Sequence, residues 1–161
     1  RYRLDLHLDL EQLRGVLGSE TVVLFRKHHY IADPVPVTAD GFVRDVSAYP
    51  DVSELLLATD VLVTDYSSMM FDFANTGRPM LFFTYDLEDY ADRVRGFYLD
   101  FEAIAPGPLL RTGGEVVEAL RGIDDVRARY AERYAAFARR FCELDDGGAA
   151  ARVVDRVFAG V

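Results

Sequence analysis

A Rossmann-like parallel α/β sheet with helices on both faces is the fold class this sequence predicts. Three observations carry that prediction. Four apolar runs of strand length, TVVLFR (21–26), FVRDV (42–46), DVLVT (60–64) and RPMLFFT (78–84), recur along the first half of the chain. Helix signals separate the later strands, and strands alternating with helices are the mark of a parallel sheet. The length, 161 residues, fits one domain with room for a sizeable core.

The elements follow in order. LEQLRGVLG (10–18) predicts a helix stopped by Gly18. TVVLFR is a continuous apolar run, as expected of a strand buried on both faces. Residues 28–40, HHYIADPVPVTAD, are polar and carry Pro34 and Pro36, so they form a loop. FVRDV is the second strand. Asp51 is placed as an N-cap with Glu54 at the third helical position, opening the helix VSELLLAT (52–59). DVLVT is the third strand. SSMMFDFANTG (67–77) is a helix capped by Ser67 or Ser68 and stopped by Gly77. RPMLFFT is the fourth strand.

Beyond Thr84 the pattern becomes mixed, with a short helix expected at 87–94 and then a long loop, a feature that often carries function. Thr112 and Glu115 form a capping box for EVVEALRG (115–122). A longer helix covers about 124–143, with Val126, Tyr130, Tyr134, Phe137 and Phe141 on one buried stripe. A last helix, 149–160, is expected to bury Val153, Val154, Val157 and Phe158. The whole chain, 1–161, reads as a single domain with a core at 20–122 and C-terminal helices at 124–160.

Half the residues are hydrophobic, 28% are charged, and the net charge is −9. An acidic chain lacks the basic stripe that nucleic acids or an anionic membrane surface would require. A local basic pocket for a small anion remains compatible with it. A single cysteine, Cys142, excludes an intramolecular disulfide framework and fits a reducing compartment. No apolar run reaches the length of a membrane-spanning helix. The chain opens on Arg1 rather than Met, so we expect it to be a piece of a longer protein. No His/Cys/Asp/Glu spacing matches a metal cage, and nothing calls for another cofactor.

Ligands of open α/β sheets bind beyond the carboxyl ends of the strands. Three polar clusters fall there: Arg26-Lys27-His28-His29-Tyr30, Asp45-Val46-Ser47, and Thr64-Asp65-Tyr66-Ser67-Ser68. Arg26 and His28 alternate on a strand end and so share a side, with Lys27 and His29 facing the other way. A guanidinium fork suits phosphate oxygens, and an imidazole donates a hydrogen bond or proton to a leaving phosphate. The third cluster feeds a helix, whose first N–H groups are unpaired and attract an anion. Asp72 lies one turn on from Ser68, and a carboxylate is a good acceptor for two ribose hydroxyls. Together these describe a nucleoside diphosphate. A plain N-cap with an acid near the helix start fits the same spacing equally well. Arg93 and Arg95, in the long loop, are cations within possible reach of an anionic substrate. His7, in DLHLDL, is expected to be exposed.

Taken in order, R-K-H after the first strand, D-V-S-x-Y-P-D-V-S-E-L-L, D-V-L-V-T-D-Y-S-S-M-M-F-D, R-P-M-L-F-F-T-Y-D and R-G-F-Y-L-D-F…P-G-P resemble the CDP-glycerol glycerophosphotransferase family, which polymerises teichoic acid. The resemblance covers about residues 20–122. It implies a GT-B architecture, two Rossmann-like halves with the site in the cleft between them, of which this chain is the C-terminal, nucleotide-binding half. It implies transfer of glycerol phosphate from CDP-glycerol to a poly(glycerol phosphate) end, with release of CMP. Arg26 and His28 would contact the donor phosphates, Ser67 and Ser68 would bind phosphate with Thr64 and Asp65 beside them, and Asp72 would hold the ribose. Base recognition would fall near Asp45 to Pro50, including Ser47, and Arg95 would meet a donor or acceptor phosphate. The general base would belong to an N-terminal half, so this piece alone would bind nucleotide weakly and turn over little.

The acceptor implied is a lipid-linked polyol phosphate, met in the cytoplasm at the inner face of the membrane through parts outside this chain. His29 departs from the family, which often has proline there. Two alternatives stand beside this reading. One is a GT-B nucleotide-sugar glycosyltransferase or epimerase, although such epimerases use an Asp-Ser-Gly-Gly type of turn where this chain has Asp65-Tyr66-Ser67-Ser68. The other is a non-catalytic nucleotide-binding module.

Overall fold

The computed structural model describes residue 4, residues 6–87 and residues 99–158. Its elements are α1 (Leu10–Leu17), β1 (Val23–Phe25), β2 (Val43–Asp45), α2 (Val52–Ala58), β3 (Leu62–Thr64), α3 (Met69–Ala74), β4 (Met80–Phe83), α4 (Phe101–Ile104), β5 (Leu109–Leu110), α5 (Gly113–Arg121), α6 (Ile123–Phe141) and α7 (Ala149–Phe158). The helix expected at 87–94 lies, beyond Leu87, outside the described residues.

Among the described residues all the strand pairs are parallel, as the alternation of strands and helices predicts. β1 pairs with β2, Phe25 opposite Asp45. β4 lies between β3 and β5, with Thr64 opposite Phe82 and Phe83 opposite Leu110. Among the described residues the hydrogen-bonded strands thus form two groups, β1-β2 and β3-β4-β5. In each group the carboxyl ends are level, which brings the predicted polar clusters to strand exits.

β4 explains why the larger group is covered on both sides. All four of its residues are buried, and successive side chains of a strand point to opposite faces. Met80 and Phe82 pack on one face with Met70 and Phe73 of α3, Phe101 of α4 and Phe137 of α6. Leu81 and Phe83 pack on the other with Leu110 and Val116 of α5. Burying side chains of this size stabilises the fold by about 1.5–3 kcal/mol each. A third cluster, with Leu13, Phe42, Val43 and Val117, seats α1 and α5 against β2.

Local signals set the helix ends. Asp51 accepts from Ser53 N–H at 2.8 Å and caps α2, whereas Glu54 accepts from the Tyr49 hydroxyl instead of closing a capping box. Arg78 Nη1 donates to Leu57 O at 2.7 Å and Thr59 O at 2.8 Å, satisfying carbonyls at the end of α2. Gly18 and Gly77 take φ of +73° and +68°, the left-handed region that a helix stop favours. Thr112 Oγ1 accepts from Glu115 N–H and the Glu115 carboxylate accepts from Thr112 N–H, the expected capping box of α5. Thr112→Ala should therefore lower stability by about 1 kcal/mol. A melting temperature unchanged within 1 °C would contradict that.

The structure adds what the sequence reading lacks, α4 and β5, and corrects two expectations. β1 is not buried on both faces: Val23 and Phe25 are half-buried and Leu24 between them is 37% exposed. In α7 the side chains of Val153, Val154, Val157 and Phe158 are not buried; each is 54–63% exposed. Their spacing makes an apolar face, but no described residue is packed closely enough to cover it. Among the described residues no helix is long and apolar enough to cross a membrane.

Candidate functional site

The turn after β3 is the centre of the site. β3 ends at Thr64, which is half-buried, and the chain passes through Asp65, Tyr66, Ser67 and Ser68 before α3 begins at Met69. Ser67 Oγ accepts from Met69 N–H at 3.3 Å. Ser68 occupies the N-cap position but makes no side-chain capping bond. The bare N-cap role therefore fits Ser67 and leaves the Ser68 hydroxyl without a capping task. α3 is only six residues long, so its dipole is small and local N–H and O–H donors must dominate any anion contact. Asp72 lies in the first turn of α3 and is exposed, while Met70, Phe73 and Ala74 on the same helix are buried. The other face of α3 is core, so Asp72 stands on its exposed side.

Asp65 is exposed as a residue, yet its carboxyl is crowded. Burial raises its pKa above the ordinary carboxylate value, and the Asp86 charge raises it further. The N–H groups of Asp65 and Ser67 and the nearby His28 pull it down. His28 is thus within electrostatic reach of Asp65 across the exits of β1 and β3. Tyr66 donates from its hydroxyl to Asp86 Oδ1 at 2.9 Å. Its pKa is raised, chiefly by burial and then by that bond.

At the exit of β1 the strand ends at Phe25, so Arg26 and His28 lie beyond it rather than on it. Arg26 Nη1 donates to Val46 O at 3.2 Å and Tyr49 O at 2.8 Å. It braces the turn after β2. Lys27 N–H donates to Ser47 Oγ at 3.1 Å, and its Nζ donates to Asp33 O. His28 is exposed, and its Nδ1 accepts from Tyr30 N–H at 3.3 Å. A neutral imidazole that accepts at Nδ1 carries its proton on Nε2, leaving a donor for a ligand. His29 does not face away: its ring stacks on that of His28 at 4.2 Å, and Tyr30 lies against both. The strand-end alternation fails because the chain turns immediately after Lys27.

Asp45 and Ser47 close the neighbouring turn. Ser47 N–H donates to Asp45 Oδ1 at 2.9 Å, and the bonds from Ser47 hold the Asp45 carboxyl below its usual pKa. Asp45, Ser47 and Arg26 therefore shape one loop together. Arg93 and Arg95 lie in 88–98, outside the described residues. Among the described residues no group of three or more His, Cys, Asp or Glu is arranged to hold a metal ion.

The sequence reading missed Asp86 as a site residue. Its place directly after β4, at the ligand-bearing edge of the sheet, was the available signal. His7 is exposed as expected, but its ring lies 4.3 Å from Tyr85.

Known proteins resemble the chain along nearly its whole length. The family "CDP-Glycerol:Poly(glycerophosphate) glycerophosphotransferase" matches residues 1–159. The teichoic acid poly(glycerol phosphate) polymerase of Bacillus subtilis (strain 168) is 46% identical over 159 residues, covering 98% of this chain and 21% of that protein. The teichoic acid glycerol-phosphate transferase of Staphylococcus aureus (strain NCTC 8325 / PS 47) is 41% identical over 157 residues, covering 98% and 40%. Among solved structures, a variant of the wall teichoic acid polymerase TagF soaked with CDPG superposes with a TM-score of 0.84 at 38% identity, covering 96% of this chain and 39% of that one. The chain thus spans between about a fifth and two fifths of the relatives it matches.

Proposed function

Because the chain belongs to the CDP-glycerol:poly(glycerophosphate) glycerophosphotransferase family, we propose that it supplies the CDP-glycerol site of an enzyme that extends poly(glycerol phosphate) for teichoic acid. The observation that carries the reading is the turn at the exit of β3, where Ser67 Oγ takes the local N–H and the Ser68 hydroxyl, at the N-cap of α3, makes no capping bond, with His28 within electrostatic reach of Asp65. That arrangement offers hydroxyl, N–H and imidazole donors at one place, the chemistry a diphosphate requires.

In the proposed reaction an acceptor hydroxyl attacks the phosphorus that carries glycerol. A new P–O bond forms, the bond to the CMP oxygen breaks, and the hydroxyl proton passes to a base in another part of the protein. CMP leaves with added negative charge. His28, through Nε2–H, and the Ser67–Ser68 turn stabilise that charge. Arg26 holds the 46–49 loop and adds positive charge beside it. Asp72 accepts from the ribose hydroxyls, and the loop from Asp45 to Pro50 borders the base. Arg95 is assigned to a phosphate of donor or acceptor. We place this chain as a single domain, the C-terminal half of a GT-B enzyme. Its acceptor is a lipid-linked polyol phosphate at the inner membrane face, reached through other parts of the protein.

Calorimetry on the intact protein tests the reading. CDP-glycerol and CMP should bind in preference to UDP and UDP-GlcNAc, and a preference for the uridine ligands would reject it. Asp72→Ala should weaken CDP-glycerol by about tenfold, the worth of a hydrogen bond to a charged group. It should leave inorganic pyrophosphate nearly unaffected, since only the nucleotide carries a ribose. Equal weakening of both would remove Asp72 from the ribose.

A further inference from the structure

The turn from Asp65 to Ser68 has little backbone support of its own. The helix bonds that follow it begin only at Ser67 O, which accepts from Met70 N–H at 3.3 Å, and Ser68 O, which accepts from Phe71 N–H at 3.0 Å. Local side-chain bonds from Asp65 and Ser67 help close it, and Tyr66 adds the tie to the rest of the fold. Its ring packs against the core cluster and lies edge-on to Phe101 at 5.8 Å. Its hydroxyl reaches 20 residues along the chain to the Asp86 carboxylate.

Asp86 sits on the firmer side of this bond. Thr84, two residues before it, is buried and its N–H donates to Leu110 O at 2.7 Å. The following Leu87 is 4% exposed, and its N–H donates to Thr84 O. Asp86 therefore lies in a short turn anchored at both ends by the buried Thr84 and Leu87. A phenylalanine at 66 would give the same ring packing; only the hydroxyl gives the bond to Asp86. That hydroxyl in turn satisfies a half-buried carboxylate, which is costly to leave unpaired beside Asp65.

We propose that Tyr66 and Asp86 are positioning residues, a clamp between the exits of β3 and β4 that holds the Ser67–Ser68 turn in the geometry the donor phosphates need. The inference rests on the donor-site reading above. It assigns a task to two residues that touch no substrate themselves and act through the backbone of the turn.

Steady-state transfer from CDP-glycerol by the intact protein tests it. Tyr66→Phe should lower kcat/KM by about tenfold, mainly through a higher KM. Asp86→Ala should do the same, and the double variant should be no worse than either single one, because each change breaks the same bond. Asp86→Asn, whose amide oxygen still accepts from the hydroxyl, should recover most of the loss. A purely structural role would lower the melting temperature and leave KM in place, so an unchanged KM in Tyr66→Phe overturns the clamp. A double variant whose loss is the product of the two single losses overturns it as well. An unsubstituted protein that neither binds nor uses CDP-glycerol would overturn the donor reading, and the clamp with it.

Discussion

Replacing His28 with alanine in the intact protein should lower glycerol phosphate transfer from CDP-glycerol by roughly 10- to 150-fold. The figure is the loss of one charge-assisted hydrogen bond, about 1.5–3 kcal/mol, expressed as a rate. It follows from three features of this imidazole. It is exposed, so a ligand can reach it. Its Nδ1 is engaged by Tyr30 N–H, so the neutral ring has Nε2–H to offer. It interacts electrostatically with Asp65, on the same turn as Ser67 and Ser68. His28→Gln separates two roles, because an amide donates a hydrogen bond but does not titrate. If the imidazole only binds the leaving phosphate, glutamine should restore much of the rate. If it also delivers a proton, glutamine should stay slow and the acidic limb of the pH–rate profile should change. Kinetics within twofold of normal for His28→Ala would remove the residue from the site.

Gly107→Ala should be the most damaging small change in the fold. A Cβ there would stand 1.9 Å from Met80 O and 2.9 Å from Met80 C, with the Phe82 ring at 3.5 Å. The first two obstacles are backbone of the central strand, which no rotamer change relieves. The segment entering β5 would have to lift away from β4, stretching the bond from Phe82 N–H to Pro108 O, now 3.0 Å. Overpacking against a backbone of this kind costs about 3 kcal/mol or more, a large share of the roughly 5–15 kcal/mol that holds a domain. At about 2–4 °C per kcal/mol for this size, thermal unfolding should shift down by about 10 °C. Gly15→Ala is the matched control: nothing lies within 4 Å of its Cβ, and alanine is the better helix former. A Gly107→Ala protein melting within 2 °C of its parent would show that β5 is not packed as described.

Much of the fold was legible because its signals are local. The four apolar runs became strands, Asp51 and Thr112 became caps, and Gly18 became a helix stop. What failed had tertiary causes. The apolar spacing of Val153, Val154, Val157 and Phe158 correctly gave α7 a face, but periodicity does not say what lies opposite it. α4 and β5 are four and two residues long, too short for any period to register. At the site, the clusters at the strand exits were readable from topology alone. Their internal wiring was not: Arg26 turned to the Val46 and Tyr49 carbonyls, and Asp86 to the Tyr66 hydroxyl, across gaps of 20 to 23 residues. Bonds of that span leave no spacing for a single sequence to display.

The division of the described strands into β1-β2 and β3-β4-β5 bears on how the molecule responds to its ligand. His28 follows the first group, and Ser67 and Ser68 follow the second. A diphosphate held by all three, as proposed, would be a non-covalent staple across a seam that no backbone ladder among the described residues crosses. Occupancy would then do more than fill a pocket: it would add a tie between the two strand groups, so that the nucleotide would become part of the scaffold that binds it.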